Sequence, residues 1–439
     1  MPLSLVSRGA FARLWNSRFA RNVAVMASGT AGAQAITMAS APVITRLYGP
    51  EAFGILGTFM AILAVMTPIA ALNYPIASVL QRRDEDALGV LKLSAGISLG
   101  LTSILMIGAW FVGESAMVLL GAEAIGNFIY LLPLAMLFAA WMQMAQQWLI
   151  RKKAFGVVAR SAVAHSLILN IAKAVGGLVH PVGAVLITLA TLGNAFHAML
   201  MLIGIRRKTV FEKWKPEDGQ APTVRELAIR HRDFPLYRMP QDLINAGSQS
   251  LPIFMLAGFF GPAAAGYYTL TKSVMGMPSA LIGKSVYDVF YPRITAAARQ
   301  GEDVVLLIVK ATAGLLVIGI LPFGIIIAFG PWLFAFVFGP DWMPAGEYAR
   351  WLALFFFFNF INKPSVAAVP VIGIQRGLLV YEVLSTSAKV AGFAFGVYIV
   401  GDDVWAVAAF SLIGVFAYSA MILWILKAAK NRKWHEKTG

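Results

Sequence analysis

The chain of 439 residues contains no cysteine, which excludes disulfides, Cys-ligated zinc or iron–sulfur centres and a thiol nucleophile. Charge is scarce as well: 13% of residues are Asp, Glu, Lys or Arg, against about 25% in an ordinary soluble domain. Acids are the scarcer sign, 21 against 36 basic residues, for a net charge of +15. The histidines are His165, His180, His197, His231 and His435, with neither HExxH nor His-x-His spacing, so neither a metal nor any other cofactor is expected. Gly283-Lys284-Ser285 has the ending of a P-loop, but Pro278 stands where the motif needs its first glycine. Nothing else in the chain reads as an ATPase element or a catalytic constellation, and a non-enzymatic protein is expected.

What the sequence has in abundance is apolar residues, 59% of the chain. They form runs near 23–45, 53–80, 90–112, 127–149, 157–179, 183–205, 235–258, 264–291, 304–329, 347–372, 377–400 and 403–427. A run of about 20 apolar residues spans the hydrocarbon as a helix, so the expectation is an all-α polytopic membrane protein with twelve transmembrane helices. β-barrel strands would instead alternate over about ten residues, a pattern the chain lacks.

Basic residues set the orientation. Arg8, Arg13, Arg18 and Arg21 precede the first run; Arg151, Lys152, Lys153 and Arg160 follow the fourth; Arg206, Arg207 and Lys208 open the long loop after the sixth; Lys427, Lys430, Arg432, Lys433 and Lys437 lie in the tail. The opposite connections hold little more than Arg46 and Arg350. The positive-inside rule places both termini in the cytoplasm, and the basicity then needs no nucleic-acid partner. The expected organisation is a cytoplasmic interfacial segment 1–22, a six-helix lobe 23–205, an inter-lobe loop 206–234, a second six-helix lobe 235–427 and a basic tail 428–439. Leu5, Phe11, Leu14, Trp15 and Phe19 among the N-terminal arginines fit an interfacial helix on anionic membrane lipids, or else a disordered basic tail.

The six-and-six division coincides with an internal repeat. Gly49-Pro50-Glu51-Ala52-Phe53-Gly54 returns as Gly261-Pro262-Ala263-Ala264-Ala265-Gly266, Leu120-Gly121 as Phe338-Gly339, and Lys173-Ala174-Val175-Gly176 as Lys389-Val390-Ala391-Gly392. Two pseudo-symmetric lobes of this kind hold transporter substrates where the repeats meet.

Charges within the spans carry the functional signal, because a lysine at mid-bilayer costs about 2.5–3.5 kcal/mol. Lys92 and Lys310 are close enough to a cytoplasmic end to snorkel. Lys173, Lys272, Lys363 and Lys389 are not, and together with Arg46 at an outer mouth they make a cationic cavity suited to an anionic substrate. Arg238 with Asp242 and Lys284 with Asp288 are spaced i,i+4 and read as structural pairs. Glu382 has no obvious partner and is the candidate for ion coupling. Gln146, Gln147, Asn170, Asn359, Asn362 and Tyr74 are either sugar ligands or interhelical hydrogen-bonders, and Phe355 to Phe358 read as packing.

Several blocks together resemble the bacterial polysaccharide (Wzx-like) flippases of the multidrug/oligosaccharidyl-lipid/polysaccharide superfamily. They are Gly29-Thr30, Ala33-Gln34, Pro42, Thr45 through Gly54, Asp233-Phe234-Pro235, Gly266-Tyr267-Tyr268, Val289 through Arg293, and Phe338-Gly339-Pro340-Asp341-Trp342. One departure is Asn73-Tyr74-Pro75, where that family often has Arg-Tyr-Glu. The resemblance implies a MATE-like fold in the bacterial inner membrane. It also implies alternating-access flipping of undecaprenyl-diphosphate-linked oligosaccharide repeat units for O-antigen, capsule or exopolysaccharide assembly. A proton or sodium gradient would drive it, and other polysaccharide-assembly proteins would be further partners. Two other readings stand beside it. A cation-coupled multidrug exporter would share the fold but call for the opposite charge surplus. A membrane polymerase or acyltransferase would need outer-face acids, histidines or a large loop.

Overall fold

A computed structural model describes residues 18–81, 83–119, 122–207 and 222–432. The long helices are α1 Arg18–Leu47, α2 Pro50–Ala70, α3 Asp84–Leu119, α4 Leu131–Arg151, α5 Phe155–Val179, α6 Gly183–Arg207, α7 Met239–Phe260, α8 Pro262–Arg299, α9 Val304–Phe338, α10 Met343–Ile361, α11 Gln375–Phe395 and α12 Asp403–Asn431. No strand occurs among the described residues. Ten helical stretches among them are long and apolar enough to cross a membrane, so the chain is a multi-pass membrane protein. The sequence leads one to expect twelve. The helices outside the ten are α1 and α8, the least apolar of the long helices: α1 carries Gln34 and a series of serines and threonines, and α8 carries Lys272. The proposed interfacial helix falls mostly outside the described residues, as does most of the basic tail.

Local chemistry explains the helix starts. Pro50 and Pro262 occupy first helical positions, where a missing N–H costs nothing. Asp303 accepts from the Leu306 N–H at 2.9 Å to open α9, and Asp402 does the same from Trp405 at 2.8 Å for α12. Thr223 and Glu226 form a reciprocal capping box that starts the short helix Val224–Arg230.

Several boundaries differ from the sequence pattern. The second apolar run reaches residue 80, but α2 stops at Ala70; Leu72 and Asn73 turn left-handed (φ 49° and 59°), and a separate turn of helix, Tyr74–Ala77, follows with Pro75. The tenth run is broken at Asn362, after which Lys363–Ile372 forms its own helix with Pro364 in its first turn. Arg46 lies in the last turn of α1 rather than in a loop, and α9 continues to Phe338 despite Pro322 and Pro331.

The chain divides into two compact units. The first comprises Met1–Tyr48 and Thr58–Ser250, the second Gly49–Gly57 and Leu251–Gly439. These bounds cut through α2 and α7 instead of following the loops that separate the repeats.

In the first unit α1 runs along α5 at backbone contact: a Cβ on Gly29 would come within 2.3 Å of the Ala159 Cβ. Polar groups stitch the same seam. The Thr37 and Ser166 hydroxyls lie 2.9 Å apart, and Ser166 donates to the Ala33 carbonyl at 2.7 Å. Arg151 and Lys152, at the end of α4, both bind Asp84 at the start of α3. The described end of the inter-lobe loop also belongs here, with Leu227 buried against Gly89 and the Tyr74 hydroxyl donating to the Ala228 carbonyl at 3.1 Å.

In the second unit the two repeated Gly-Pro turns touch reciprocally. A Cβ on Gly54 would fall 1.7 Å from the Pro262 carbonyl oxygen, and one on Gly266 would fall 2.0 Å from that of Pro50. Phe53 sets its ring edge-on to buried Trp342, centroids 5.0 Å apart.

Candidate functional site

The repeated Lys-x-x-Gly element has the same packing in both copies. Gly176 faces α6, where an added Cβ would meet Val185 at 2.7 Å; Gly392 faces α12, where it would meet Ile413 at 2.1 Å. Lysine and glycine are three residues apart and share a helix face. Lys173 and Lys389 therefore each stand one turn before a glycine at which α5 meets α6 and α11 meets α12.

Lys173 is half-buried, and its carbonyl accepts the Tyr48 hydroxyl at 2.9 Å, which pins α5 to the end of α1. Lys389 is half-buried too, with its ammonium 5.8 Å from the Phe355 ring centroid and 5.7 Å from that of Tyr418. Such faces stabilise a cation without neutralising it. The Tyr418 hydroxyl is in turn held by the Asn359 amide at 2.6 Å. Lys363 is half-buried at the start of its helix, its stem filling the space beside Gly283. The ammonium groups of Lys173, Lys363 and Lys389 make no hydrogen bond or ion pair among the described residues. Lys272 is half-buried on α8, while Arg46 is exposed. The second unit thus contains Lys272, Lys363 and Lys389, and the first contains Lys173 and Arg46.

The acids named from the sequence lie on α7, α8 and α11. Asp242 binds Arg238 at 3.1 Å, as the spacing leads one to expect. The side chains of Lys284 and Asp288 lie outside the described residues. Glu382 is exposed on α11, two turns before Lys389 and within its electrostatic reach. Lys92 and Lys310 are both exposed near helix starts.

Four of the neutral polar residues make hydrogen bonds within the bundle. Asn170 donates to the Ser166 carbonyl at 2.7 Å, Asn362 to the Met421 sulfur at 3.1 Å, and Tyr74 and Asn359 are engaged as described. Phe355 packs against Phe356, Phe410 and Tyr418, and Phe357 against Phe323. One pair escapes the sequence: His165 and His197, stacked with ring centroids 4.5 Å apart. They are 32 residues apart on different helices, so no local spacing announces them.

A family model described as "Polysaccharide biosynthesis protein" matches residues 43–347. No curated protein matches the chain. Among solved structures, the chain is similar to an inward-facing multidrug resistance MATE family transporter of the MOP superfamily, with a TM-score of 0.66 at 16% identity over 91% of this chain and 96% of that one. It is similar to an outward-facing structure of such a transporter, with a TM-score of 0.60 at 15% identity over 96% and 99% of the two chains. It is also similar to the lipid II flippase MurJ in an inward closed conformation, with a TM-score of 0.63 at 13% identity over 92% and 87%. The fold is therefore MATE-like, and the proteins that share it here are transporters and a flippase, not enzymes.

Proposed function

The chain belongs to the polysaccharide biosynthesis protein family, and from that premise we propose that it flips undecaprenyl-diphosphate-linked oligosaccharide repeat units across the bacterial inner membrane, with both termini cytoplasmic. The observation that carries this reading is the set of half-buried lysines whose ammonium groups make no ion pair among the described residues, Lys173, Lys363 and Lys389. A lysine in a membrane helix is costly, and a diphosphate supplies the missing counter-charge. The prenyl chain needs no such site, since it can remain in lipid while the sugars and phosphates cross. Alternating access, as in transporters built from two repeats, moves the headgroup without exposing it to hydrocarbon. Glu382, near Lys389, is the candidate through which a proton or sodium gradient acts. A cation exporter would call for unpaired acids at these positions, and the surplus is of the other sign.

The test is surface-polysaccharide complementation by Lys173→Gln, Lys363→Gln and Lys389→Gln, with each variant's membrane level measured in parallel. Each should reduce flipping while its level holds, because losing an uncompensated charge eases insertion. Normal flipping by all three would remove the cationic-site mechanism.

A further inference from the structure

The histidine pair of the first unit has no role in the reading above. The rings are 7° from parallel, and they join α5 to α6. Each buries its Nε2 with no hydrogen-bond partner among the described residues. Gly193 lies beside one of them: a Cβ there would stand 3.3 Å from His165 Nε2, and the Gly193 backbone is near enough to hydrogen-bond that ring.

The helices around the pair offer it no carboxylate. Helices α1, α4, α5 and α6 contain no Asp or Glu at all. Of the elements packed on the pair, α1 has Arg18 and Arg21 at its start and Arg46 in its last turn, and α4 has Arg151, already bound to Asp84. On the pair's own helices, Arg206 and Arg207 close α6 and Arg160 opens α5. Lys173, two turns beyond His165, is the charge that bears directly on its ring. The two imidazoles are thus the groups in this bundle whose ordinary titration lies near neutral pH.

We propose that His165 and His197 form a proton-binding site of the first unit, taking one proton per pair, and that the proton opens the contact between α5 and α6. The claim builds on the flippase reading only for what the opening would drive. Neutral stacked rings are an apolar contact. A proton places a charge there, close to Lys173, with no carboxylate on these helices to compensate it, and a buried uncompensated charge is expensive. Water relieves that cost, so the proton binds more tightly to the conformation that hydrates the pair. That difference in affinity shifts the population. A second proton is excluded by repulsion across the stack.

The cysteine-free chain allows a direct test. Leu169→Cys puts one thiol beside Gly193, because the Leu169 side chain lies 3.4 Å from the position of an added Gly193 Cβ. Its labelling by a neutral maleimide is followed in lipid nanodiscs from pH 8 to pH 5.5. The same cysteine in a His165→Asn/His197→Asn background corrects for the thiol's own titration, and a His165→Gln/His197→Gln background stands in if the asparagine protein does not fold. The ratio of parent to background rates should rise about tenfold as pH falls, the scale expected when a minor conformer becomes well populated. Imidazole nitrogen NMR should show the two rings sharing a single proton at the acid end of that range. A ratio that stays flat, or two independent protonations, overturns the proposal. A rising ratio in a protein that fails to flip lipid-linked sugars would leave the proton site standing and overturn the functional reading instead. In reconstituted vesicles, gradient-dependent flipping that survives in the double-histidine background and disappears in Glu382→Gln would also overturn the pair's role.

Discussion

Asn73 donates its amide to Asp242 Oδ2 at 2.9 Å, and the Arg238 guanidinium binds the same oxygen at 3.1 Å. Asn73 stands at the left-handed turn after α2, in the triplet that departs from the Arg-Tyr-Glu often found in the resembled family. Here an acid and an arginine are present after all, supplied by α7 and the helical turn before it. Coupling chemistry does not follow from that; a structural clasp does.

Asn73 is buried, whereas the Arg238 side chain is half exposed. Asp242→Ala should therefore cost about 1–3 kcal/mol, mostly by leaving the Asn73 amide unpaired. Arg238→Ala should cost less than about 1 kcal/mol. Thermal melts of the two variants in detergent check the order.

Gly54→Ala and Gly266→Ala should each destabilise by more than about 3 kcal/mol, because the new methyl meets a backbone oxygen rather than a yielding side chain. Gly96→Ala and Gly100→Ala, where nothing lies within 4 Å, should be neutral or stabilising. Folded yield after size-exclusion chromatography separates the two groups.

His231 accepts a hydrogen bond from the Gln81 amide at 2.7 Å, and burial together with the adjacent Arg230 charge holds its imidazole below the ordinary range. The folded state thus prefers the neutral ring. Its contribution is complete above about pH 6.5, the unfolded value, and is lost as pH falls towards the lower folded one. The melting temperature of the parent should fall more steeply between pH 7 and pH 5 than that of His231→Gln. Parallel curves would exclude the contribution.

Lys389→Arg should retain more flipping than Lys389→Gln, since an anion needs the charge and the Phe355 and Tyr418 faces accept a guanidinium. Lys92→Ala and Lys310→Ala should complement fully. Surface polysaccharide per unit of membrane protein is the measurement.

Much of this was legible in the sequence because the bilayer imposes long-range rules on local pattern. Runs such as 304–329 announce helices, and a lysine within one, such as Lys389, is conspicuous against them. The Arg238–Asp242 pair follows from helical spacing alone. The stop at Ala70 is harder to foresee, since Leu72 and Asn73 are not glycines and the apolar run continues past them. The histidine stack depends on α5 lying against α6, which no spacing encodes. The place of Gly49–Gly57 in the second unit likewise depends on where the Gly-Pro turns meet.

That meeting has a further consequence. Each turn presents its proline carbonyl to the other's glycine, so the contact is unchanged when the two copies are exchanged. Such reciprocity is the mark of an isologous dimer contact. The polypeptide carries within itself the surface by which a half-length chain would pair with its twin, and a change to one copy takes effect at the other. Flanking positions differ, as Phe53 does from Ala265, but the glycines occupy one shared space and can enlarge only together with a movement of both helices.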